Sequence, residues 1–327
     1  MQLINHPVLC NYYLTYRCNA TCDFCDIWEK PSQYVELEQF KKNLVELKKL
    51  KVKIIDFTGG EPLLHRGLGE MLSLAKQAGF LTTVTTNCLL YPKRAKELEG
   101  KIDMLHFSMD FSTAKKHNKS RGVDCFNHII KSIEIGKNLG ERPDILLTVH
   151  EENIDEIEAI YNQYCLPNKL VLILNPIFSY NNIKEHGGLQ EKHFKKLRFW
   201  AKKKFIFLNE AFLQLREDGG NQINNPVCKA SSSTIVITPD NKLSLPCYHL
   251  SEKELDLNSG LAEVYHSPEA KEIREKEGKL NACQGCEVNC YMQPSFAINL
   301  NKYWWASLRS TLKYNWIKGT WKSLLKL

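Results

Sequence analysis

Cys18, Cys22 and Cys25 place three thiols within eight residues, in Cys18-Asn-Ala-Thr-Cys22-Asp-Phe-Cys25. Thiolates are soft ligands, and three so close together suit an iron–sulfur cluster or zinc. No fourth thiol stands nearby. Cys10 is the nearest, in an extended apolar run where it should pack. Three protein ligands on a four-iron cluster leave one iron open, whereas structural zinc closes with four. The triplet points to a reactive cluster.

A second set comprises Cys228, Cys247, Cys283, Cys286 and Cys290. Two apolar strands between the first pair, in 234–245, flank Pro239-Asp240-Asn241, a hairpin turn. A thiol at each base of the hairpin and a Cys-x-x-Cys after a helix near 268–277 give four ligands, enough for a closed cluster. Zinc fastening the hairpin is the alternative. Cys290 is the fifth thiol, a replacement ligand or a free one. Cys88, Cys125 and Cys165 are isolated and read as buried small hydrophobes.

These thiols need strands and helices to position them. Apolar β-branched runs at 8–14, 52–57, 80–86, 102–110, 144–149 and 169–174 predict six strands. Helical spacing predicts helices at 36–50, 67–78, 92–99, 124–139, 153–164 and 189–203. Strict alternation argues for a parallel sheet with helices outside. Polar residues cluster after the strands: Glu61 in Gly59-Gly60-Glu61-Pro62, Asn87 after Thr86, Ser108 and Asp110, His150, Asn175. The C-terminal strand ends build the active site in barrels of this kind. His106, His128 and His150 read as packed or capping histidines. No Ser-His-Asp set or carboxylate pair is evident. A strand and helix at 205–218 bridge to the second cysteine set.

The first triplet, with Phe24 before its last cysteine, and Gly59-Gly60-Glu61-Pro62 one unit later resemble the signatures of the radical S-adenosylmethionine (SAM) superfamily. The second set resembles the SPASM and shortened Twitch extensions, closer to the short form because five cysteines are present rather than about seven. The resemblance implies an α/β fold: a partial (β/α)6 TIM-like barrel over 1–205. A small β-hairpin/helix iron–sulfur domain follows over 206–298, then a terminal amphipathic helix over 299–327. It implies a [4Fe–4S] cluster on Cys18, Cys22 and Cys25, with SAM on the open iron. SAM contacts would come from Phe24, Gly59, Gly60, Glu61, Asn87, Ser108, Asp110 and Arg121. An auxiliary [4Fe–4S] cluster would use Cys228, Cys247, Cys283 and Cys286, with Cys290 in reserve. The implied reaction is reductive cleavage of SAM to a 5′-deoxyadenosyl radical that abstracts hydrogen from an unactivated carbon. The electron would come from a donor such as flavodoxin or ferredoxin.

The 327 residues can bury a core without staples, and the formal charge of +7 is modest. No secretory signal or membrane-spanning run is visible, and reduced thiols suit a cytoplasmic location. Residues 301–327 hold six Lys or Arg and no acid. Trp304, Leu308, Leu312 and Trp316 form a helical stripe, and Trp321, Leu324 and Leu325 follow it. That pattern predicts a helix lying on the inner face of the membrane and a lipid or isoprenoid substrate; a helix packed on the barrel is the alternative. No nucleic-acid module accompanies the charge. The rival substrates are a ribosomal peptide or a small metabolite. A zinc-stabilised binding protein is the rival from another class.

Overall fold

A computed structural model describes residues 3–178 and 189–320. Its ten strands form one sheet: β1 (Leu9–Tyr13), β2 (Ile54–Thr58), β3 (Leu81–Thr86), β4 (Met104–Ser108), β5 (Asp144–Val149), β6 (Leu172–Pro176), β7 (Ile206–Phe207), β8 (Thr234–Ile237), β9 (Lys242–Leu245) and β10 (Lys253–Asp256). The order is β10-β9-β8-β1-β2-β3-β4-β5-β6-β7. Strands β1 to β7 pair in parallel, and β8 adds to β1 in parallel from the other side. The sheet is an open, partial barrel, as the alternating pattern predicts. The hairpin β8–β9 continues the barrel sheet.

Each strand sends one face to the helices and one to the lumen. Ile55, Phe57, Val84, Phe107, Ile145, Leu147 and Leu172 are 0% exposed and pack with Phe40, Leu47, Leu72, Ile129 and Ile157 of the outer helices. Their neighbours on the inner face, among them Asp56, Thr85, His106, Thr148 and Asn175, keep contact with solvent. The outer face holds the core; the inner face is in part open to solvent.

The expected helices form, at Leu37–Lys49, Leu68–Gln77, Tyr91–Leu98, Phe126–Asn138 and Glu191–Ala201. The element expected at 153–164 is an α-helix over Glu156–Ile160 that widens into a π-helical turn at Tyr161–Cys165. A further helix, Ala114–Arg121, was not legible, because Ala-Lys-Lys-His-Asn-Lys-Ser-Arg carries no apolar stripe. It puts Arg121 at a helix C-terminus, ahead of the helix Phe126–Asn138.

For the basic tail the structure supports the packed alternative. Helix Lys302–Lys318 packs on the barrel, using acids from elsewhere in the chain. Lys302 pairs with Asp218 at 2.7 Å, and Tyr303 donates to the same carboxylate at 2.6 Å. Lys318 pairs with Asp144 at 2.5 Å, and Tyr314 donates to it at 2.5 Å. Asn209 and the Glu210 backbone bond Ser307 and Ser310. These polar bonds fix the docked face, so Leu312 and Trp316 of the stripe point outward, 42% and 77% exposed. Trp321, Leu324 and Leu325 lie outside the described residues. Among those described, no helix is long and apolar enough to cross a membrane.

Candidate cluster and SAM site

The first cysteine loop is held from two sides. After β1 the chain runs alongside Gly59-Gly60-Glu61: the Gly60 and Glu61 N–H groups donate to the Thr15 and Arg17 carbonyls, each at 2.9 Å. A Cβ on Gly59 would stand 2.1 Å from Thr15 O, and one on Gly60 2.1 Å from Arg17 O. The two glycines are therefore needed for backbone-on-backbone contact just before Cys18. On the other side, Thr21 N–H donates to Arg121 O at 3.1 Å and Asp23 N–H to Ser120 O at 3.0 Å. Gly122, at φ +63°, leaves room for Thr21, whose Oγ1 would lie 2.1 Å from an added Cβ.

Arg121 joins three candidate residues. Its guanidinium pairs with Asp110 at 2.5 Å, reaches Cys22 Sγ at 3.8 Å and lies 5.2 Å from the centre of the Phe24 ring. Asp110 is 0% exposed and also accepts the Thr148 N–H at 3.0 Å. The Arg121 Nε is buried with no hydrogen-bond partner among the described residues.

Glu61 braces the strand ends. Its Oε1 accepts from Leu63 N–H at 3.0 Å and Thr86 Oγ1 at 2.8 Å, and its Oε2 from Asn87 N–H at 2.9 Å. Burial pushes its pKa up to about 7 against those three bonds. Asn87 Nδ2 donates to Asn19 at 2.7 Å and lies 4.0 Å from Cys18 Sγ. Ser108 ends β4 on the inner face, buried. Burial raises the three thiols, Cys18 to about 12 and Cys25 to about 11; at Cys22 the Arg121 charge opposes it. Loading iron must therefore displace protons.

Cys228, Cys247, Cys283 and Cys286 line one cavity of about 210 Å³, with His249 and Tyr291. Cys290 does not line it. It begins helix Asn289–Ile298, flanked by Asn289, which donates to Asn175 at 2.9 Å, and Tyr291, which accepts the Tyr248 N–H at 3.0 Å. Its thiol is solvent-reached yet enclosed by protein, and Asp56 of β2 is a charge neighbour. It therefore lies near the inner face of β2, where burial pushes the thiol up to about 12. Cys10, Cys88, Cys125 and Cys165 are all 0% exposed.

The organiser of this second site is Asn221, which sequence reasoning missed. It is 0% exposed. Its Nδ2 donates to the carbonyls of Gly278 and Cys283, and its Oδ1 accepts from the Val227 and Cys228 N–H groups. Its backbone pairs with Gly285 and Cys286. The available signal was Gly219-Gly220-Asn221, a turn just ahead of Cys228; a Cβ on Gly220 would stand 2.3 Å from Gly285 O.

Residues 12–164 match the family model described as the Radical SAM superfamily. Among curated relatives, the probable GTP 3′,8-cyclase of Metallosphaera sedula is 27% identical over 293 residues, covering 81% of this chain and 92% of its own. The GTP 3′,8-cyclase of Clostridium botulinum is 26% identical over 300 residues, with coverage of 81% and 92%. Streptococcus suis SuiB bound to S-adenosylmethionine superposes with a TM-score of 0.68 at 16% identity, over 92% of this chain and 78% of that one. Native anSMEcpe with bound AdoMet superposes at 0.64 and 18% identity, over 95% and 98%. At such identity the structural likeness shows the fold alone. The family match runs from the end of β1 into the π-helical turn, just under half of the chain, and contains the cysteine loop, Gly59–Glu61 and Arg121.

Proposed function

We propose that this enzyme abstracts hydrogen from a polar substrate, a peptide side chain or a small metabolite, held in the barrel lumen. The polarity of the inner face carries this reading. Asn11, Asp56 and Thr83 pair side by side across β1, β2 and β3, and Thr85, Ser108, Thr148 and Asn175 share that face. A lipid or isoprenoid would strip water from these groups without replacing their hydrogen bonds. The docked tail removes the other ground for such a substrate.

Cys18, Cys22 and Cys25 would hold the first [4Fe–4S] cluster. Among the described residues no three Cys, His, Asp or Glu side chains close around a single-ion site. Three thiols with no fourth beside them suit a cluster with one open iron better than structural zinc, which closes with four ligands. When bound, the cluster supplies the electron that splits SAM into methionine and a 5′-deoxyadenosyl radical. The chain's own groups bind and orient SAM. The unpaired Arg121 Nε suits its carboxylate, and Glu61 Oε2, with one bond made, has capacity for its ammonium. Asn87, Ser108, Asp110 and Phe24 complete the surround, with Gly59 and Gly60 fixing the backbone. Cys228, Cys247, Cys283 and Cys286 would hold the auxiliary cluster, built on residues 206–298, and an external one-electron donor reduces the enzyme.

Two neighbours favour a peptide: SuiB has been seen with precursor peptide SuiA, and anSMEcpe with a peptide. The relatives named GTP 3′,8-cyclase favour a second reading, GTP. The inner face of β1 to β6 offers a triphosphate no Lys or Arg among the described residues. The deciding experiment incubates the anaerobically reconstituted enzyme with SAM, dithionite and GTP. We expect 5′-deoxyadenosine at the substrate-free rate. Stimulation by GTP with a cyclised product would replace our reading with the second.

A further inference from the structure

Tyr248 follows Cys247 and stands where the two cysteine sites meet. Its ring stacks on Tyr13 with centroids 4.5 Å apart and planes 19° apart, and meets Tyr16 at 5.8 Å. Lys30 Nζ lies 4.2 Å from its ring centre. Tyr13 ends β1, and Tyr16 comes two residues before Cys18. One apolar cluster includes Tyr13 and Tyr248, and Cys25, Cys247 and Cys286 all pack against it. The ring thus bridges the loop of the first site to the cavity of the second.

The phenol at this bridge has no partner among the described residues. Tyr248 is 6% exposed, and its hydroxyl makes no hydrogen bond among the described residues. A buried hydroxyl left unsatisfied is costly, so such a group marks a missing partner. A phenol hydroxyl has one proton to donate. Nothing in SAM binding as proposed above uses it.

We propose that Tyr248 is a positioning residue for the first cluster, carrying a hydrogen-bond donor from the auxiliary hairpin to an acceptor of the cluster–SAM assembly beside Cys25. The acceptor is a sulfur of the cluster or an oxygen of SAM. The inference rests on the proposed function and deepens it. Cys247 serves the second cluster while the next residue reads the first, so filling the auxiliary site also fixes the donor of the SAM site.

The test compares wild type with Tyr248→Phe, both reconstituted anaerobically. Phenylalanine keeps the ring stack and removes only the hydroxyl. Iron content, the electron paramagnetic resonance spectrum and midpoint of the SAM-responsive cluster, and the Kd for SAM are measured. We expect unchanged iron. If the acceptor is a cluster sulfur, the midpoint falls without SAM present, because hydrogen bonds to sulfur set the potential. If it is a SAM oxygen, Kd rises about tenfold, the worth of one such bond. Midpoint and Kd both at wild-type values overturn the inference while leaving the radical SAM reading standing. Loss of auxiliary iron in Tyr248→Phe also overturns it, by placing Tyr248 in the second site. A wild-type cluster whose spectrum ignores SAM would defeat the underlying reading instead.

Discussion

Lys318 and Asp144 meet at 2.5 Å at the start of β5, 174 residues apart in sequence. Their side chains are 7% and 0% exposed. Tyr314 donates to the same carboxylate, and Phe207 of β7 packs on the Tyr314 ring at 5.0 Å. His106 of β4 lies 3.7 Å from Asp144, with its pKa lowered by burial and by Lys318 against the pull of Asp144. The last turns of the terminal helix are therefore anchored at the start of β5 by a buried paired charge.

Removing one partner of a buried pair strands the other, at about 3–5 kcal/mol. Lys318→Ala should lose about that much stability in urea unfolding at pH 7. Truncation after Asn301 should lose more and expose β7. The full chain should show no salt-sensitive flotation with anionic vesicles. Flotation, or a truncated chain as stable as the full one, would restore the membrane helix.

Asn221 supports a second prediction. It satisfies four backbone groups around the auxiliary cavity with its side chain. Asn221→Ala should leave these groups short of partners and empty the auxiliary site. Iron should drop from about eight to about four per chain if both clusters have four irons. SAM should still perturb the remaining cluster. Full iron in this variant would show that the thiols hold the site without Asn221.

The barrel was legible because its signals are local. Apolar β-branched runs and helical stripes repeat six times, and the strand ends carry the polar residues. What stayed hidden depends on long-range contact. Ala114–Arg121 has no stripe, so the Arg121 pairs with Asp110 and Cys22 could not be read. Gly59 and Gly60 read only as SAM contacts, and the structure also sets them against the Thr15–Arg17 backbone. The tail has no acids of its own, and its partners, Asp144 and Asp218, are distant in sequence.

Cys290 separates ligand from free thiol. It is exposed, while Cys10, Cys88, Cys125 and Cys165 are fully buried. In the loaded enzyme iodoacetamide should modify Cys290 first, seen as one added carbamidomethyl group by mass spectrometry. Cys290→Ala should keep both clusters. Iron loss in that variant would return Cys290 to the ligand set.

The cluster ligands are tested by replacing Cys18, Cys22 and Cys25 together with Ala. Because the two thiol sets lie on separate segments, this should abolish 5′-deoxyadenosine formation under dithionite and leave about four irons on the auxiliary site. Persistent SAM cleavage would defeat the assignment.

Glu61 gives the last prediction, through its proton. Its carboxyl has an ordinary value of 4.5 and is raised to about 7 by burial, against bonds from Asn87, Leu63 and Thr86. A raised carboxyl binds its proton more tightly in the folded state than in the unfolded one. The stability it adds is full below about pH 4.5 and fades as pH rises towards 7, where the folded carboxyl ionises. The difference amounts to about 3 kcal/mol at most. Urea unfolding of the cluster-free protein at several values between pH 4.5 and 8 should show this decline. Glu61→Gln cannot ionise, so its decline over the same interval should be shallower by up to that amount, even if its amide bonds less well to Asn87. Parallel curves for the two proteins would mean that Glu61 is already ionised in the fold at pH 5. Its three donors would then outweigh its burial.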